Sequence, residues 1–137
     1  MLVEKRMFFR ISFIHCISNV FYLIIEIPRI VDHTNITGPL APEGSANLWC
    51  VASGGPLPTF QWYRDDVLLM NQSSLYIYDF ENSEHGNLTG SLLELHDLTF
   101  SDSGTYKCQA ISIAGNASTE FKVVVMEGMI FSNNIIY

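Results

Sequence analysis

The 137-residue chain predicts an all-β fold, a sandwich or barrel of short strands, on three observations. Residues 30–125 read as short runs alternating apolar and polar at period two, broken by clusters of Gly, Pro, Asn and Asp. Nine Phe and six Tyr favour pleated surfaces. No long stretch carries helical periodicity, so a Rossmann fold or another αβ repeat is excluded. The length suits one domain with terminal extras, large enough to bury a core without a metal. Hydrophobic residues make up 48% and charged residues 15%, which excludes a disordered chain. Fourteen acidic against seven basic residues give a net charge of −7, so no nucleic-acid partner is expected.

The elements follow in order. Glu43-Gly44-Ser45 is a turn leading into a strand over residues 46–52, with Ala46, Leu48, Cys50 and Ala52 on one face. Ser53-Gly54-Gly55-Pro56-Leu57-Pro58 reads as a turn. Phe60 and Trp62 then point one way, Gln61 and Tyr63 the other, before Asp65-Asp66 turns the chain again. Residues 75–80 and 91–95 are strands around a polar loop over 81–90. Residues 105–111 and 117–125 alternate cleanly and are joined by Ala114-Gly115-Asn116.

Residues 1–27 stand apart. Lys5, Arg6 and Arg10 precede an apolar run over 11–27, short for a membrane span and long for a signal-peptide core. A signal peptide, an uncleaved signal-anchor holding the chain to a membrane through 11–27, and a gene-model extension all remain open. Both targeting readings place residue 28 onward in the lumen or outside the cell. Four sequons agree with that side: Asn35-Ile36-Thr37, Asn71-Gln72-Ser73, Asn87-Leu88-Thr89 and Asn116-Ala117-Ser118. With nine Asn and 20 Ser plus Thr, chance supplies only about 1.3. Asn71, Asn87 and Asn116 are expected in loops and Asn35 near an edge strand.

Cys50, Trp62 and Cys108 are spaced so that the chain resembles an immunoglobulin domain. Residues 52–62 are similar to the A-x-G-x-P-x-P-x-[IF]-x-W stretch of the intermediate (I-set) type found in adhesion molecules, receptors and muscle proteins. Leu93, Leu95, Leu98, Asp102, Gly104, Tyr106 and Cys108 fit its L-x-L-x-x-L-x-x-x-D-x-G-x-Y-x-C run. The resemblance covers residues 28–126, leaving 127–137 as a tail or fragment end. It implies a two-sheet antiparallel β-sandwich of Greek-key topology, with Cys50 and Cys108 bridged between sheets. A bridge closing that loop is worth about 4 kcal/mol in the chain-entropy model. It also implies that Trp62 packs on the bridge, that Tyr106 makes a tyrosine corner, and that Asp102 and Gly104 form its turn. Three features depart from the pattern, one being the turn Ser112-Ile113-Ala114-Gly115, with Ser where Asn is usual. No Lys or Arg occurs between Asp65 and Tyr106, so Asp102 is expected to lack a basic partner and to accept backbone N–H groups instead. The interval from Trp62 to Cys108 is long, which the 81–90 loop is expected to absorb.

Nothing in the chain makes a catalytic site. Ser101-Asp102-Ser103-Gly104 reads as the corner turn rather than a nucleophile, and Asp79, Glu81, Glu84 and His85 match no metal-ligand spacing. His15, His33 and His96 share no motif with them. No cofactor or metal is implied. The expected function is therefore protein binding by one extracellular module of a longer adhesion or receptor-type chain, with a structural spacer in a matrix or muscle-type array as the alternative. Parity puts Gln61, Tyr63, Lys107, Gln109 and Ile111 on one outward face, with Glu120 and Lys122 on the neighbouring strand. That face is the candidate interface, with an ordinary solvated sheet face as the alternative. Trp49 opposes Cys50 in parity, so it should point outward near Leu92, as a cross-strand pair or a second contact.

Overall fold

Period-two alternation leaves each strand one apolar face, and two such faces can only be buried against each other. The computed structural model describes residues 14–17, 20–23, 25–82 and 88–127. Ten strands are described: β1 (Ile14–Ile17), β2 (Val20–Leu23), β3 (Glu26–His33), β4 (Ala46–Gly55), β5 (Thr59–Arg64), β6 (Val67–Leu68), β7 (Leu75–Asn82), β8 (Leu88–Leu95), β9 (Gly104–Ser112) and β10 (Gly115–Val123). One sheet runs in the order β3-β4-β8-β7 and its partner β10-β9-β5-β6, with antiparallel pairing throughout. The fold is thus the predicted two-sheet sandwich. The apolar N-terminal run contains β1 and β2, which pair as a separate two-stranded sheet. Among the described residues no helix is long and apolar enough to cross a membrane.

The chain changes sheets five times, twice around Leu40. After His33 it leaves β4, and Leu40 pairs in parallel with Val125 beyond β10. Leu40 N–H donates to the Val124 carbonyl at 2.8 Å, and the Leu40 carbonyl accepts from Met126 N–H at 3.0 Å. The other crossings lie between β4 and β5, β6 and β7, and β8 and β9. Asp65 and Asp66 take positive φ between β5 and β6, where Asp tolerates the left-handed region better than most residues.

The centre of the core joins the sheets covalently. Cys50 on β4 and Cys108 on β9 are disulfide-bonded with their Cα atoms 6.6 Å apart. Both are fully buried, as are Leu48, Leu93 and Trp62 around them. The Trp62 ring stacks on Phe121 at 5.7 Å between centroids. Its Nε1–H donates to Ser91 Oγ at 2.9 Å, and Ser91 Oγ–H donates in turn to the Tyr78 carbonyl at 3.3 Å. Ser91 is completely buried. It gives the indole N–H a partner inside an apolar core, as buried Trp requires.

Two loop expectations need correction. Residues 53–55 are not turn but the end of β4, because Gly54 lies under the β3 backbone. A Cβ there would stand 3.3 Å from Pro28 Cα, a tight contact that glycine avoids where the strands pair as far as Glu26 opposite Gly55. The 81–90 loop is mostly hairpin. β7 and β8 pair without interruption from Leu75 opposite Leu95 to Asn82 opposite Leu88, with Gly90 leaving room for the Phe80 ring. Added strand length, rather than added loop, absorbs much of the long interval. The last turn is also tighter than expected, since β10 begins at Gly115 and only Ile113 and Ala114 separate it from β9.

Replacing Ser91 with Ala leaves the Trp62 N–H buried without an acceptor. Urea melts of the variant should show a loss of roughly 1–3 kcal/mol with an unchanged m-value.

Candidate functional site

The residues proposed for recognition divide between the two sheets. On the β10-β9-β5-β6 sheet, Gln61 stands opposite Gln109, Tyr63 opposite Lys107, and Thr59 opposite Ile111. Inward parity of Trp62 and Cys108 forces this whole set outward. Tyr63 is half-buried and fixed on two sides: its hydroxyl donates to Gln61 Oε1 at 2.7 Å, and Lys107 Nζ lies 4.8 Å from the ring centroid. Lys107 Nζ also donates to Asp66 Oδ1 at 2.9 Å, which raises the ammonium pKa above its ordinary value. Beside this cluster lies an open polar hollow of about 320 Å³, lined by Asp65, Asp66, Thr105, Lys107 and Glu120.

Trp49 belongs to the opposite sheet, half-buried across from Leu92, which in turn faces Tyr78. That outer surface carries more aromatic area than the sequence reading assigned to it. Tyr76 and Tyr78 stack at 6.4 Å, His96 meets Tyr76 edge-on at 5.9 Å, and Tyr78 is 50% exposed. The signal was the alternation Tyr76, Tyr78, Phe80, which marks one face of β7 as aromatic.

One described sequon sits differently from expectation. Asn116 is not in a loop: it is the second residue of β10, exposed and directly opposite Ile111. Asn35 is exposed in the segment that crosses between sheets, and Asn71 is exposed in the β6–β7 connection. Asn87 lies outside the described residues. Glu120 and Lys122 are both exposed on β10, opposite Lys107 and Thr105.

The corner before β9 carries the largest correction. Asp102 has a basic partner: Arg64, the last residue of β5, places Nη1 3.4 Å from Asp102 Oδ1 and 3.3 Å from the Ser101 carbonyl. Sequence proximity hid it, because Arg64 falls one position before the basic-free interval and reaches the corner through its register opposite Tyr106. The other carboxylate oxygen accepts from the Thr99 N–H at 2.7 Å and hydroxyl at 2.8 Å. The Tyr106 hydroxyl donates to the Asp102 carbonyl at 2.8 Å. Ser101 and Ser103 are spent on the turn: Ser101 Oγ bonds Thr99 Oγ1 at 2.7 Å, and Ser103 Oγ accepts from Val125 N–H at 2.9 Å. Hydrogen bonding with Tyr106 raises the Arg64 pKa, and burial raises that of Tyr106.

A disulfide between opposed sheets, a Trp packed inside it and a tyrosine-locked corner define an immunoglobulin-type sandwich. The family model "Immunoglobulin domain" matches residues 27–111, and the chain belongs to that family. It is 29% identical over 106 residues to hemicentin-1 of Mus musculus, covering 76% of this chain and 2% of that protein. It is 32% identical over 111 residues to protein sidekick of Drosophila melanogaster, covering 80% of this chain and 4% of sidekick. The chain therefore spans a small part of these relatives. Among solved structures, the titin I-band fragment I67–I69 superposes with a TM-score of 0.68 at 25% identity, over 78% of this chain and 35% of the fragment.

Removing the Tyr106 hydroxyl tests the corner. A folded pKa above the unfolded one means that the unfolded chain loses its phenolic proton first as pH rises. The stabilisation is complete below the ordinary tyrosine value of about 10 and is lost as pH climbs through the folded value. Tyr106→Phe should cost about 1 kcal/mol at pH 7 and flatten the alkaline decline of Tm, measured by calorimetry from neutral pH to above 10.

Proposed function

We propose that this chain is a protein-binding module of an extracellular adhesion or receptor-type protein, working through the outer face of the β10-β9-β5-β6 sheet. The observation that carries the reading is Tyr63, whose ring and hydroxyl are held in place by Lys107 and Gln61 before any partner arrives. A fixed aromatic gives contact area at little entropic cost. The hollow beside it, with three carboxylates and one ammonium, favours a partner that presents a basic side chain. A glycan at Asn116 would cover the Ile111 end of the same face, confining the contact to Gln61, Tyr63, Lys107 and Gln109. The cell adhesion molecule Dscam2 of Drosophila melanogaster, 32% identical over 98 residues, supports an adhesive setting. The sequons support the extracellular side, and residues 11–27 are the segment through which a membrane would be reached if they serve as an anchor.

A spacer is the second reading, favoured by the likeness to titin fragments built of successive immunoglobulin domains. The two separate on one variant. Beads carrying the full chain should self-adhere or capture a receptor-bearing cell, and Tyr63→Ala should reduce this at least about tenfold, the loss of one good contact residue. Circular dichroism melts check that the variant is folded. Unchanged adhesion by a folded variant removes this face as the binding surface, and absence of any adhesion by the parent favours the spacer.

A further inference from the structure

An exposed strand edge presents unpaired N–H and C=O groups on which another chain can add a strand, so each edge of the sandwich needs a guard. Two of the four edges are blunted by the fold: β6 has two residues, and β3 contains Pro28 and two register shifts. β10 is nine residues long and meets the Leu40 segment only beyond its end, but its sequence, Gly-Asn-Ala-Ser-Thr-Glu-Phe-Lys-Val, is mostly small or polar. β7 is different. It is eight residues long, pairs with β8 in unbroken register, and reads Leu-Tyr-Ile-Tyr-Asp-Phe-Glu-Asn, a sequence rich in aromatic and apolar residues of high β-propensity.

The free side of β7 is already partly occupied. Leu75 exchanges both backbone hydrogen bonds with Gln72, at 3.1 and 2.9 Å. Two residues on, Ile77 N–H donates to the side-chain Oδ1 of Asn71 at 2.7 Å. By the alternation of an antiparallel ladder, Asp79 and Glu81 expose the next outward groups. Both are acidic, as edge residues that repel a second copy should be. Asn71 thus uses its oxygen inward, on the edge, while its Nδ2 remains the atom that a sequon modifies.

We infer that Asn71 guards the β7 edge twice over: its carbonyl oxygen closes the Ile77 N–H, and an N-glycan on Nδ2 covers the edge and prevents strand addition by a second copy of the chain. This rests on the extracellular reading above. In the transfer, a lipid-linked oligosaccharide diphosphate supplies the sugar. The anomeric carbon–oxygen bond to phosphate breaks, a carbon–Nδ2 bond forms, and the displaced Nδ2 proton leaves to solvent with the diphosphate as leaving group. The product is still an amide, so Oδ1 keeps its lone pairs for Ile77.

Ser73 separates the two guards, because Ser73→Ala destroys the sequon and leaves the Asn71 side chain in place. The full chain is secreted from eukaryotic cells, and glycosidase release in heavy-oxygen water marks occupied Asn as Asp. Asn71 should be marked. Ser73→Ala should keep the parent Tm and the parent exchange rate at the Ile77 amide, yet self-associate at a concentration about tenfold lower by light scattering. Adding Asp79→Pro, which removes an outward N–H, should restore the monomer. Asn71→Ala should also accelerate Ile77 exchange about tenfold, the equivalent of one hydrogen bond. Thr37→Ala, which removes only the Asn35 sequon, should behave as the parent. An unmarked Asn71 beside marked neighbours, or a Ser73→Ala variant as monomeric as the parent, overturns the guard and leaves the extracellular reading standing. A secreted product with no marked sequon overturns both.

Discussion

The structure depends on the contact in which Trp62 fills the space beside the Cys50–Cys108 bridge. Two sheets packed face to face share no backbone hydrogen-bond ladder, so their alignment rests on side-chain contacts and on any covalent tie. Here the tie fixes β4 against β9, and the indole fixes β5 against both. The single polar atom of that ring reaches across to Ser91 on β8, so one residue engages strands of both sheets. Everything outward follows from this inward parity. Cys50 and Trp62 determine that Trp49, Gln61 and Tyr63 point to solvent, and hence which surfaces are available to a partner.

Parity and motif spacing made the fold legible before the structure. Alternation alone assigned the inward faces of β4, β5, β9 and β10, since a strand slipped by one residue would expose its whole core set. What alternation could not give was any interaction set by register between distant segments. Arg64 and Asp102 meet because β5 pairs with β9, and no local window contains both. Asn71 and Ile77 meet because a connection folds back along an edge. Gly54 and Gly55 read as turn residues, since glycine is ambiguous until a crossing backbone is seen above it. Ser91 was hidden for a simpler reason: a serine on an inward position looks like an interruption of the core until its partner is known.

The two outer faces carry different chemistry. One is polar and prearranged, with Tyr63 held between Gln61 and Lys107. The other is aromatic, with Tyr76 stacked on Tyr78 and with Trp49 and Tyr78 standing on either side of Leu92. Rows of side chains along a sheet cover its backbone from water, and the aromatic face accomplishes this within the domain by stacking and edge contacts. The surface pair Arg64–Asp102 adds little energy by itself, being open to solvent. It positions the corner from which Tyr106 enters the core.

The parallel bridge between Leu40 and Val125 has a consequence in time. Its halves come from the start and the end of the domain, so the first half waits unpartnered until nearly the whole domain has been synthesised. Folds dominated by such distant pairings form in milliseconds to seconds rather than microseconds. For that interval Leu40 has no carbonyl to meet. On a ribosome, the last strand made is the one that closes the sandwich, and the order of synthesis becomes the order in which the domain is sealed.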